Sequence, residues 1–347
     1  MSFINFDTAD SIITSEAITG PLWSNNTYTL TSGSMFTSSV QEASVPGTFY
    51  LNVNNLATST SGSELQYTVA YGHASGSGSA PFNTAMPGLT PTKAIYEQYY
   101  NTLYAGSGIT GSLVNFGGNN GLSKDMYVIN ISRARYKESL KPGSLNLRLS
   151  SGSTVINLTD DSNNNSVVSY IGANRVYNLV SGSNGLSYNT SSLQTASGSY
   201  GIYLPDMATI ILNPRALALA QASGGIGLVP NETASTSYTA AYNTNNNKLY
   251  NSIRLGNGFS LSSQETVSAR YYDVHVKYAE LNYTTNPSVV DSNGNIIYDT
   301  MIYNPQTFVT TVGLYNEQNE LLAVAKLSKP LTKDFTKTLT LRVKLQA

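Results

Sequence analysis

Alternation of apolar and polar residues is the clearest signal along this chain. Leu65, Tyr67, Val69 and Tyr71 fall on one face of a strand over Leu65–Tyr71. Near the end, Tyr272, Val274, Val276 and Tyr278 alternate with Asp273, His275 and Lys277, and Leu339, Leu341, Val343 and Leu345 alternate with Thr340, Arg342 and Lys344. Shorter strands are expected at Met126–Ile131, Leu145–Leu149, Val155–Leu158, Arg175–Val180 and Met207–Leu212. Phe308–Tyr315 and Leu321–Leu327 flank a turn at Asn316–Asn319, and Asn293-Gly294 predicts a type I′ hairpin turn. Helical spacing is rarer. Ile95, Tyr96, Tyr99, Tyr100 and Leu103 form a 3-4 spaced stripe after Thr90-Pro91, which suit a cap and a first helical turn. Two brief helices are expected, one from Asn213-Pro214 to Gly224 and one over about Asn246–Leu255.

These patterns predict a mainly β protein, with antiparallel β-sandwich or meander domains, a few short helices and long polar loops. Residues 1–45 show no sustained period and predict an extended N-terminal arm with few contacts to its own core. Residues 46–265 read as a β-rich domain with short helical insertions. Residues 266–347 read as a C-terminal antiparallel β region, separate or in one sandwich with the preceding part.

Composition sharpens the picture. Charged residues make up 11% of the 347, against about 25% in ordinary soluble proteins. Disorder is disfavoured because the chain carries 25 Tyr and 9 Phe. The net charge of −1 conceals a bias: Asp7, Asp10, Glu16, Glu42 and Glu64 precede the first basic residue, Lys93. The remainder is mildly basic, a distribution suited to a part that docks head to tail. Two basic clusters stand out: Arg133, Arg135, Lys137 and Lys141, and a C-terminal run from Lys326 that includes Arg342 and Lys344. Arg133, Arg135 and Lys137 would share a face if the preceding strand continued. They are candidate interface residues, favouring protein docking over nucleic acid, which asks for a strongly basic domain with interleaved aromatics.

Candidate chemistry is sparse. Cysteine is absent, which excludes disulfides, thiolate nucleophiles and Cys metal sites. His275 sits on the polar side of a strand and His73 in a Gly/Ser segment, so neither has the three or four ligands a metal needs. Asp160-Asp161 would point to opposite strand faces and predicts a turn rather than an acid–base pair. Asp291–Asn295 lacks the glycine and glutamate positions of a calcium loop. No phosphate loop or nucleophile elbow is present in the sequence. The reading is therefore no enzyme, no cofactor and no metal. With no secretion signal or membrane-length apolar run, synthesis in the cytoplasm is expected, with no membrane partner.

Several blocks together resemble virion proteins of T-even-like tailed phages, cyanophages among them. They are Tyr71-Gly72-His73 with its Gly/Ser tail, Thr92–Tyr99, Tyr127–Glu138, Tyr200–Met207, Thr311–Asn316 and Ala323–Ser328. Within that group the order of blocks over about 65–347 is similar to a tail baseplate wedge subunit. The resemblance implies a non-enzymatic virion protein of the contractile tail that holds other tail and baseplate proteins. It implies a homo-oligomer within the larger assembly, a dimer being one form. Alternatives are a carbohydrate-binding adhesin or fibre-proximal module using exposed tyrosines, and a neck or capsid decoration protein.

Overall fold

Tyr67, Val69 and Tyr71 enter one apolar cluster while Ala70, between them, belongs to another. That split recurs across the larger of two units in the computed structural model, which describes residues 6–37, 50–78, 91–104, 113–118, 120–165, 167–189, 194–232, 244–284 and 286–346. The larger unit spans Ile18–Glu265; the smaller joins residues up to Ala17 with those from Thr266 onward. Both are mainly β, and the strand pairings are antiparallel.

The larger unit is built on a thirteen-stranded sheet. Its path runs through Thr29–Leu30, Phe259–Ser260, Asn146–Ser151, Thr154–Asp160, Asn174–Ser183 and Gly201–Leu204. It continues through Thr209–Leu212, Asp125–Ile131, Leu65–His73, Tyr50–Asn54 and Phe36–Thr37. Short strands at Ser169–Ile171 and Leu186–Ser187 flank Asn174–Ser183. The central strands are buried on both faces. Tyr127, Ile129, Tyr203, Ile210 and Leu212 join the first cluster; Met126, Val128, Ile202, Leu204 and Ile211 join the second. Each such side chain contributes roughly 1.5–3 kcal/mol when fully buried. The second face is covered by the Pro91–Tyr104 helix through Ile95, Tyr96, Tyr99, Tyr100 and Leu103, the predicted stripe. Gly72 permits that contact, because a Cβ there would lie 2.9 Å from the Tyr96 backbone nitrogen.

The N-terminal arm is a correction. Ser11–Pro21 is a strand beside Ser262–Val276, and Leu22, Trp23, Leu30 and Met35 lie in the first cluster. Trp23 packs against Tyr67 and Phe259, with ring centroids at 6.1 and 4.9 Å. These apolar residues show no period because they enter the core singly rather than along one face. Residues 1–5 and 38–45 of the expected arm lie outside the described residues.

Two helix and strand expectations also change. The helix opening at Pro214 ends at Ala218, and a separate 3-10 turn covers Gln221–Ser223. The chain turns there so that the Ile226 and Leu228 amides can both bond the Leu217 carbonyl and bring those side chains into the core. The strand before Arg133 ends at Ile131, and Arg133–Arg135 form a 3-10 turn, so Arg133, Arg135 and Lys137 do not share a strand face.

The smaller unit takes residues 11–17, 266–276 and Leu339–Gln346 from three neighbouring strands. Residues Ala269–Val276 run antiparallel to Leu339–Gln346 with Tyr271 opposite Lys344, Asp273 opposite Arg342 and His275 opposite Thr340. Thr307–Tyr315 and Leu321–Lys333 form a separate two-stranded ribbon with its turn at Asn316–Asn319. The Asp291–Gly294 turn is not type I′. Gly294 alone is left-handed there, with φ +83°, and the Asp291 carboxylate accepts the amides of Asn293 and Asn295 in place of a second left-handed residue.

Candidate assembly surface

Charge pairing within the smaller unit follows directly from strand register. Arg342 forks onto Asp273, its Nε and Nη2 each donating at 2.7 Å. Lys344 donates to Glu16 at 2.5 Å, and the Tyr271 hydroxyl donates to the same carboxylate. His275 bonds Thr340 through Nδ1 at 3.0 Å and lies 3.5 Å from Asp10 through Nε2. Lys344 holds the Glu16 carboxyl below the usual range, and Arg342 does so for Asp273. The early acids and late bases therefore meet inside one chain. Glu16, Asp10 and Glu64 thus each have a partner within their own chain, Glu64 through Arg135.

Glu64 is taken up in the larger unit. Arg135, whose side chain is 15% exposed, bonds Glu64 at 2.8 Å and Ser24 at 2.6 Å. Arg133 donates to the carbonyls of Tyr136 and Lys137 at 2.5 and 2.7 Å, and its guanidinium stands 4.7 Å from the centre of the Tyr136 ring. Lys137 pairs with Glu265 at 2.8 Å. Lys141 lines an open polar pocket and is in no ion pair among the described residues. Of the six candidate interface residues, Arg135, Lys137, Arg342 and Lys344 have carboxylate partners in their own chain.

The residues weighed for chemistry have structural occupations. Asp160 is buried and accepts the Gly143 amide at 2.9 and 3.0 Å and the Ser162 amide at 3.1 Å. Asp161 accepts the Asn178 amide at 2.9 Å and the Asn165 side chain at 2.9 Å, so both carboxylates organise turns. His73 is buried at the end of its strand, with Nδ1 3.0 Å from the Ser75 hydroxyl and Nε2 without a partner; burial lowers its pKa. Beside it Asp125 accepts from Ser123 and Tyr71, and burial raises its pKa. Among the described residues no three His, Asp or Glu side chains converge as a metal would require.

What the sequence reading missed is an apolar surface. Ala269, Val276, Leu314, Leu341 and Val343 are the buried apolar side chains of the smaller unit among the described residues. Tyr278, Tyr283, Ile297, Tyr298, Ile302, Tyr303, Phe308, Leu321, Leu322, Val324 and Phe335 are exposed, Tyr303 by 90% and Leu322 by 68%. On the ribbon, Val324 stands opposite Gly313, over which the Tyr315 ring lies. No described helix is long and apolar enough to cross a membrane. Comparison with protein-family models, curated proteins and solved structures gives no match.

Proposed function

We propose that this chain is a structural component of a contractile phage tail, in the baseplate wedge, acting through protein–protein assembly. The observation that carries the reading is the smaller unit's apolar inventory. A β unit of roughly a hundred residues ordinarily buries more than half of the surface its unfolded chain exposes, around its own core. Here most of the large apolar side chains from Tyr278 to Phe335 lie on the outside. Isolated two-stranded ribbons are marginal in water, and exposed apolar patches of this kind mark protein contacts. Neighbouring tail proteins would cover the ribbon and the Asp299–Tyr303 helix, where Tyr and Phe supply the contact area favoured in interfaces. The resemblance to wedge subunits in the Thr311–Asn316 and Ala323–Ser328 blocks falls on this ribbon.

The test is a density map of the intact tail particle. The reading expects the thirteen-stranded sheet in the baseplate, with the Thr307–Lys333 ribbon against a different polypeptide. Absence of the chain from purified particles, or a ribbon that remains in solvent there, overturns it.

A further inference from the structure

An open pocket of about 600 Å3 lies in the larger unit where the Lys141–Ser144 turn meets the loops carrying Asn163 and Asn184. Among the described residues no carboxylate lines it, and Lys141 is its one cationic side chain. Its walls are held rigidly. Gly143, at φ +78°, gives its amide to the buried Asp160 carboxylate. Asn146 Oδ1 accepts from Ser183 and from the Asn184 amide, both at 2.9 Å, while its Nδ2 donates to Asn184 Oδ1 at 2.8 Å. Asn163 Nδ2 donates to the Asn184 carbonyl at 2.7 Å.

This network occupies both ends of the Asn146 amide but one end each of Asn163 and Asn184. Asn184 Nδ2 and Asn163 Oδ1 have no protein partner among the described residues, nor has the Lys141 ammonium. Tyr28, 52% exposed, adds an aromatic ring to the lining. The available groups thus include one amide donor, one amide acceptor, one cation and one ring face.

We propose that this pocket binds a carboxylated pyranose, the uronate unit of an acidic polysaccharide. Sugar hydroxyls both donate and accept, which suits the Asn184 and Asn163 pair. The C–H face of a pyranose packs on an aromatic ring, here Tyr28, and its carboxylate takes the charge-assisted bond from Lys141. An apolar ligand would strand the amides without partners. A phosphate dianion is held best by an arginine fork or several free backbone amides, and Asp160 already takes the Gly143 amide, so phosphate is kept as a competitor in the test. Nucleic acid needs many cations along a groove. The inference does not rest on the assembly role.

Saturation-transfer NMR on the purified chain tests it, with a glucuronic acid trisaccharide, the matching glucose trisaccharide and inorganic phosphate as probes. The expected result is transfer to ring protons of the acidic trisaccharide, with affinity about tenfold below it for the neutral one. Tyr28→Ala should abolish the ring-proton transfer, and Lys141→Met should remove the preference for the acidic sugar while leaving weak binding. Both side chains are exposed, so the fold is retained, and amide spectra check this. No transfer from the acidic trisaccharide, equal binding of both sugars to the unaltered chain, displacement by phosphate at equal concentration, or indifference to both substitutions overturns the proposal.

Discussion

Glu16 and Lys344, 328 positions apart, share a hydrogen bond of 2.5 Å between two strands that flank Ser262–Val276 on either side. Tyr271, on the strand between them, donates to the same Glu16 carboxylate. The acid-rich beginning and base-rich end of the chain thus meet across one sheet. Lys344→Glu should lower the thermal midpoint slightly, and Glu16→Lys in the same chain should recover most of the loss. The check is a double-mutant cycle by thermal unfolding at low salt. Equal midpoints for the single and double variants would show that the pair contributes nothing to the sheet.

Lys333 is buried, yet its ammonium has three neutral acceptors: the Tyr278 carbonyl at 3.0 Å, Asn282 Oδ1 at 2.6 Å and the Asp334 carbonyl at 2.9 Å. Three donors meet three oxygens, tying the base of the ribbon to the 278–282 turn. Lys333→Met fills similar space but leaves buried acceptors unmade. Each unmet acceptor costs about 1–3 kcal/mol. Urea unfolding should show at least that loss, and limited proteolysis should cut faster near residue 280. An unchanged urea midpoint would remove Lys333 from this role.

Gly72 places the Leu65–His73 strand against the Pro91–Tyr104 helix. A methyl group there meets the Tyr96 nitrogen at 2.9 Å and its Cα at 3.0 Å, both backbone atoms. Gly72→Ala should cost about 1–3 kcal/mol, as overpacking does, and should disturb the amide signals of residues 95–100. Native stability in that variant would mean the helix can shift freely.

Acid should weaken the smaller unit. Lys337 holds the Asp334 carboxyl down to about 2, while Lys344 and Arg342 lower Glu16 and Asp273. A depressed carboxylate stabilises the folded state above its unfolded pKa of about 4, and that contribution fades as pH falls through the folded value. Stability should therefore drop from about pH 5 down to about pH 2, and Asp334→Asn should flatten the slope. Parallel pH profiles for the two proteins would contradict this.

The strands were legible where a period ran long enough. Tyr67, Val69 and Tyr71 read as one face, and Tyr96, Tyr99 and Leu103 as one stripe, because local alternation sets which side chains can share a face. Burial of the opposite face was not legible: Ala70 and Gly72 look like ordinary polar-side positions until a helix is laid over them. The basic run after Ile131 imitates a strand by its Arg-x-Arg-x-Lys spacing, yet Ser132 turns the chain and each cation finds a partner that sequence cannot reveal. Trp23 and Glu16 depend on contacts more than 200 residues away. The polar pocket draws on residues near 28, 141–146, 163, 184 and 260–262, which no linear motif joins.

The most direct measurement is hydroxyl-radical footprinting of the isolated chain and of the tail particle that contains it. Tyr298, Tyr303, Phe308, Leu322 and Phe335 are exposed in the chain alone. The assembly account predicts strong labelling of these side chains in isolation and protection in the particle, with Tyr28 and Tyr188 of the larger unit as internal comparisons. Equal labelling of the smaller unit's aromatic and aliphatic side chains in both states would contradict it.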